Sequence, residues 1–182
     1  MKHTELIFDE VKDLYRIIPL RVLRRTPGVT FDLVPPEAFP RIDAFDRVIH
    51  EGGAVSPGPV GDVARPWYMH PCQDDNLVVL HGVRNVDVYT PAHGKLESFV
   101  VDPHRIFKGG ELFFDGAAML VWPRGVFHRI KSSDTQGSAS LNFAVRYEGF
   151  DIKTNFNVHD LDPETGEYRV IREGRLDQPG DL

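Results

Sequence analysis

The chain has 182 residues, enough for one domain with a sizeable core. Its 41% hydrophobic and 26% charged residues are an ordinary globular mix, which excludes wholesale disorder. The formal net charge is −6 with the acidic residues spread along the chain, which argues against a nucleic-acid backbone or an anionic membrane as main partner; the single cysteine, Cys72, excludes an intramolecular disulfide.

The first residues, Met1 to Glu5, do not lead into the apolar run of a signal peptide. No stretch approaches the roughly 20 apolar residues of a membrane helix. The expectation is a cytoplasmic protein. Ile7, Val11, Leu14, Tyr15 and Ile18 recur at helical spacing, with Thr4 as a cap and Pro19 as an interruption, and predict a short helix within residues 1–18. The basic cluster Arg21, Arg24 and Arg25 is short and reads as a solvated face.

Residues 26–64 are rich in proline and glycine, and predict irregular chain with short strands near 29–34 and 47–50. Strand signals become dense beyond Arg65: residues 77–80, 83–89, 96–101, 111–114, 118–122, 127–131 and 140–147. Short strands at this spacing, with no convincing helix between them, predict an all-β sandwich or barrel and not a parallel βαβ sheet. A turn at 160–166 and a strand at 167–172 predict a C-terminal hairpin, and the polar tail 175–182 is expected to be loosely held. The organisation expected is one domain: an arm and wrapping segment over 1–64, a barrel core over 65–150 and an extension over 151–182.

Two of the eight histidines sit in patterns. The first pattern runs Trp67-Tyr68-Met69-His70, then Gln73, Asp74 and Asp75, and closes on Gly82. The second starts at Gly116 and ends Pro123-Arg124-Gly125-Val126-Phe127-His128. Together they resemble the two motifs of the cupin superfamily, over roughly residues 65–147. Tyr68 stands where the first motif has its first histidine, Asp75 stands where it has glutamate, and Ser132 where an asparagine often follows the second motif. The resemblance implies a double-stranded β-helix, or jelly-roll barrel, with His70, Asp75 and His128 around a common point.

The geometry of strands agrees with that placement. Tyr68 and His70 are two residues apart and share a face. Gly82 permits a tight bend, and Pro123 with Gly125 turns the chain so that His128 enters the same cavity. Two imidazoles and a carboxylate with open positions suit iron(II), manganese, nickel or zinc. Tyr68, His70 and His128 are the candidate catalytic residues. Gln73, Asn142 and Arg146 are candidate pocket residues; the last two alternate with Leu141, Phe143 and Val145, and either line the pocket or face solvent. His81, His93, His104 and His159 read as surface or core residues, Cys72 as a small buried residue, and Trp67 and Trp122 as core or pocket-wall aromatics.

Three functions stay open. The first is a metal-dependent enzyme acting on a small molecule, of dioxygenase, isomerase or decarboxylase type. The second follows from residues 65–88, which also resemble the sugar-nucleotide epimerase branch of the same barrel. It is a metal-free epimerase or ketoisomerase in which His70 or His128 takes a proton, Tyr68 or Tyr147 delivers one, and Arg65 or Arg146 holds a phosphate. The third is a small-molecule or carbohydrate binder without turnover. The resemblance further implies a homodimer, with residues 1–34 as the arm.

Overall fold

The computed structural model describes residues 6–180. Its strands, in chain order, are β1 (Asp9–Val11), β2 (Tyr15–Pro19), β3 (Arg21–Thr26), β4 (Val29–Leu33), β5 (Ala44–His50), β6 (Val55–Ser56), β7 (Trp67–Met69), β8 (Gln73–Gly82) and β9 (Arg84–Tyr89). They continue with β10 (Glu97–Val101), β11 (Arg105–Lys108), β12 (Glu111–Asp115), β13 (Ala118–Trp122), β14 (Phe127–Ser132), β15 (Ser138–Arg146), β16 (Val158–Leu161) and β17 (Tyr168–Arg172). One sheet has the order β1-β2-β13-β8-β15-β5. The other runs β12-β11-β10-β9-β14-β7-β16-β17, with β6 also paired to β14. All pairings within these two sheets are antiparallel. This is the all-β barrel that the strand spacing predicts, in the double-stranded β-helix form that the resemblance implies.

The interior lies between the sheets. Leu77 and Val79 of β8, Val86 and Val88 of β9, and Leu120 and Trp122 of β13 belong to one buried cluster. The intervening residues Val78, Met119 and Val121 form a second cluster on the outer face of the first sheet, where Val34, Ala38 and Phe39 pack on them. Strand β13 is therefore buried on both faces, which explains its unbroken Ala-Met-Leu-Val-Trp sequence. A third cluster, Trp67, Tyr89, Phe127 and Leu161, lies on the outer face of the second sheet, which β16 extends as a strand beside β7.

Among the described residues the expected N-terminal helix is not present. Its described part is a hairpin, β1 against β2, turning at Asp13 with φ 59°. Strand β2 is inserted beside β13, so Ile17 and Ile18 are both buried, one on each face. Neighbouring apolar residues on a strand buried on both sides, as at Ile17 and Ile18, match helical spacing by accident. Thr4, the proposed cap, lies outside the described residues.

The predicted strands at 83–89, 96–101, 111–114, 118–122, 127–131 and 140–147 correspond to β9, β10, β12, β13, β14 and β15. The one at 77–80 is the central part of a longer strand, β8. The C-terminal hairpin is β16 with β17. Strands β1, β2, β6, β7, β11 and β16 are too short or too mixed in pattern to stand out in the sequence. Residues 21–33 form a separate two-stranded hairpin, β3 with β4. Among the described residues no helix is long and apolar enough to cross a membrane.

Candidate active site

Strand alternation and two turns bring the motif residues together. In β7 Trp67 faces the outer cluster, so Tyr68 faces the interior, directly opposite His128 in the β7–β14 register. His70 follows on the same face. In β8 Gln73 and Asp75 point inward, while Asp74 points away, accepting from Tyr147 Oη at 2.7 Å and from the Arg124 amide at 2.8 Å. The turn before β14 is tied to the first motif by the Gly125 amide, which donates to the His70 carbonyl at 2.8 Å. Gly125 has φ 80°, the left-handed region where glycine is unstrained.

His70, Asp75 and His128 are each 4% exposed, and their ligand atoms lie within 4.8 Å of one another. His70 Nε2 is 3.2 Å from Asp75 Oδ2, and His128 Nε2 is 3.8 Å from the same oxygen. The other nitrogens are committed to the backbone, His70 Nδ1 to the Asn155 carbonyl at 2.6 Å and His128 Nδ1 to the Val126 carbonyl at 3.2 Å. A carbonyl only accepts, so both Nδ1 atoms carry hydrogen and both Nε2 atoms are aimed inward. Asp75 Oδ1 accepts from Gln73 Nε2 at 2.8 Å and Asn142 Nδ2 at 2.9 Å, which leaves Oδ2 to the imidazoles.

The electrostatics separate the two histidines. Burial works against a charged His70, but the adjacent Asp75 carboxylate and the Asn155 carbonyl outweigh it, and the ring is held above its ordinary value. Burial pushes His128 down to about 3, and the neighbouring His70 charge adds to this, so it is neutral. Burial opposes the charge on Asp75 too, yet the His70 contact keeps it well below the usual carboxylate range. Burial raises the Tyr68 phenol and Asp177 adds to the effect, so the hydroxyl keeps its proton.

These groups open into a cavity of about 270 Å³, lined also by Asp46, Val48 and His50 of β5, Arg84, Trp122 and Phe156. The candidate residues Tyr68, His70, Gln73, Asp75, His128 and Asn142 all reach it. Arg146 does not line it; it stands behind Gln73, 3.4 Å from Oε1, with its guanidinium 4.1 Å above the Phe150 ring. Tyr147 is turned outward to Asp74, and Arg65 is likewise outside the lining. Trp122 is a wall aromatic, 5.0 Å from the His128 ring, whereas Trp67 belongs to the outer cluster.

Sequence reasoning missed Arg84, Asp46, His50 and the Asn155 carbonyl. The signal for Arg84 is legible: it alternates in phase with Val86 and Val88, which are buried inside. In β5 the alternation is inverted, with Asp46, Val48 and His50 turned to the cavity and Phe45 and Ile49 exposed. The expectation that apolar residues face inward hides that polar face. Asn155 ends a four-residue helix, α1 (Ile152–Asn155), which has no repeat long enough to read.

Two imidazoles and a carboxylate are the kind of donors that a divalent transition metal takes. Two ligands on bonds of about 2.1 Å at a tetrahedral angle stand about 3.4 Å apart, and the two Nε2–Oδ2 distances bracket that value. Nδ1–H groups donated to carbonyls are the outer support usual for metal-bound histidine.

No protein-family model matches the sequence, and no curated protein matches it. Solved structures do. QdtA, a sugar 3,4-ketoisomerase from Thermoanaerobacterium thermosaccharolyticum in complex with TDP, superposes with a TM-score of 0.54 at 13% identity, covering 78% of this chain and 85% of that one. A variant of QdtA with one histidine replaced by asparagine, in complex with TDP-4-keto-6-deoxyglucose, gives the same figures. WlaRB, a TDP-quinovose 3,4-ketoisomerase from Campylobacter jejuni, has a TM-score of 0.51 at 13% identity, covering 78% of this chain and 89% of that one. At these identities the likeness establishes a shared cupin-like barrel.

Proposed function

We propose that the protein is a ketoisomerase of the sugar type, moving a carbonyl between neighbouring carbons through an enediol. The observation that carries this reading is the pairing of a neutral His128 with a His70 bound at both nitrogens, in one buried cavity. Two titratable groups with opposed environments mark an acid–base pair. His128 Nε2 holds a lone pair toward the cavity and takes the proton from the carbon next to the carbonyl. His70, paired with Asp75, supplies positive charge where the enediolate oxygen develops. Tyr68, protonated and opposite His128, donates a proton to that oxygen and regains one from the neighbouring hydroxyl, which becomes the new carbonyl, while His128 returns its proton to the former carbonyl carbon. Likeness to the QdtA and WlaRB barrels supports the same class of chemistry.

The test is solvent exchange. Keto-sugars, TDP-4-keto-6-deoxyglucose among them, incubated with the protein in D2O should gain deuterium beside the carbonyl, and His128→Asn should remove the gain. No exchange across a broad panel sinks the reading.

A second reading is favoured by the two Nε2–Oδ2 spacings, 3.2 and 3.8 Å. His70, Asp75 and His128 would hold iron(II), manganese, nickel or zinc. The metal would supply Lewis-acid stabilisation of an enolate oxygen, while Tyr68 and Gln73 orient the substrate. Metal analysis of protein purified without chelator decides it: less than about a tenth of an equivalent of any of the four removes this reading.

A further inference from the structure

Arg84 occupies an unusual position for an arginine. It is 1% exposed, yet among the described residues no carboxylate lies within ion-pair distance of it. Its contacts are neutral: Nε donates to Ser138 Oγ at 3.0 Å and Nη2 to the Val48 carbonyl at 3.1 Å. Ser138 Oγ meets Ser132 Oγ at 2.7 Å, and Ser132 Oγ meets His50 Nδ1 at 2.9 Å. Burial and the Arg84 charge push His50 down to about 4, so it adds no charge near neutral pH and none of the negative charge that Arg84 lacks. Asp46, the other carboxylate in the lining, is engaged by Asn142 beside Asp75.

A buried cation without a counter-charge costs several kcal/mol, and five N–H donors are more than two acceptors satisfy. The remaining guanidinium face opens into the same cavity as the catalytic groups. In the β9–β14 register Arg84 pairs with Ser132 and Val88 with His128, four residues along the strand. That separation is about 13 Å between Cα positions, and side chains from both ends shorten it.

We propose that Arg84 is an anion subsite and that the substrate is a small carbonyl compound carrying its own carboxylate, seated on the guanidinium with its carbonyl at His70 and His128. The placement of the carbonyl rests on the isomerase reading; the subsite does not. Two observations select a single carboxylate over a diphosphate. Among the described residues Arg84 is the sole arginine or lysine in the lining, and one cation matches one anionic charge. The cavity, about 270 Å³, lies just below the usual range for small-molecule sites, roughly 300–1,000 Å³. It suits a sugar acid.

The experiment is a binding panel read by thermal shift and calorimetry on the full chain: a set of sugar acids including glucuronate and galacturonate, with glucose, glucose 6-phosphate and TDP. At least one sugar acid should bind about tenfold or more tightly than glucose. Arg84→Gln should abolish that preference while His128→Asn keeps it. If Arg84→Gln does not fold, Arg84→Lys retains the cation and should weaken the acid several-fold. The proposal is overturned if glucose binds as well as the acids, if no acid binds, if TDP or glucose 6-phosphate binds and the acids do not, or if the preference survives in the folded Arg84→Gln protein. Binding of an acid without deuterium exchange leaves the subsite standing and counts against the isomerase alone.

Discussion

The Gly125 amide donates to the His70 carbonyl at 2.8 Å. That single bond couples the turn of the second motif to the residue at the centre of the first, and so sets His128 in register with His70. A side chain at position 125 meets nothing within 4 Å, so only the φ of 80° resists substitution. Gly125→Ala should cost about 1–2 kcal/mol and leave a folded protein with impaired exchange activity, measured by urea unfolding alongside the D2O assay.

Gly82 makes the contrasting case. Its φ is 71°, and a Cβ there would stand 2.1 Å from the Gly137 carbonyl oxygen. Backbone on both sides cannot yield cheaply. Gly82→Ala should destabilise by more than Gly125→Ala, about 3 kcal/mol or above, seen as a fall in the urea midpoint.

Asp75 joins the two imidazoles, and its loss has two separable effects. Asp75→Ala leaves His70 buried without its partner and should cost about 3–5 kcal/mol. Asp75→Asn keeps the shape and an acceptor for Gln73 and Asn142, so stability should fall less, while exchange activity drops roughly 10²-fold or more. Equal activity in Asp75→Asn and wild type would remove the charge from the mechanism.

His50 gives a pH dependence. Its folded value is about 4, pushed down by burial and then by Arg84, against an ordinary value near 6.5. Between these values the unfolded chain takes up a proton that the folded chain refuses. This contribution to stability is intact above about pH 6.5, is lost as pH falls, and is gone near pH 4. His50→Gln should lose less of its urea midpoint between pH 7.5 and 4.5 than wild type does.

The hairpin of β3 and β4 joins neither sheet, and exposes Leu23 and Phe31; Phe45 and Ile49 are exposed on the edge strand β5. An isolated two-stranded hairpin is marginal in water. A homodimer covering these residues is expected, giving twice the chain mass by light scattering. Leu23→Asp with Phe45→Asp should give a monomer; a wild-type monomer ends the proposal.

The sequence carried the interior of the fold better than its margins. Val86 and Val88 alternate cleanly with Asn85 and Asp87 because one face of β9 meets the core. Ile17 and Ile18 do not, since β2 is covered on both faces, and there the pattern imitates a helix. At the site, His70, Asp75 and His128 were legible because turn residues at set spacings accompany them. Asp46 and His50 were not, because an inward polar face looks like an outward one until something shows that the strand lines a cavity. Alternation leaves Arg146 open between pocket and solvent: it follows the phase of Asn142 but lies where β15 runs past the cavity, behind Gln73.

The acceptor for His70 Nδ1 is a main-chain oxygen at residue 155, beyond the last strand of the motif-bearing region. A chain trimmed to the barrel would keep every motif side chain and lose the group that settles which way His70 presents its proton. Its ring would be released to rotate and swap tautomers. Competence of this site is thus a property of two stretches of sequence that share no motif, and a search for minimal versions that scores side chains alone would discard the half that has none to score.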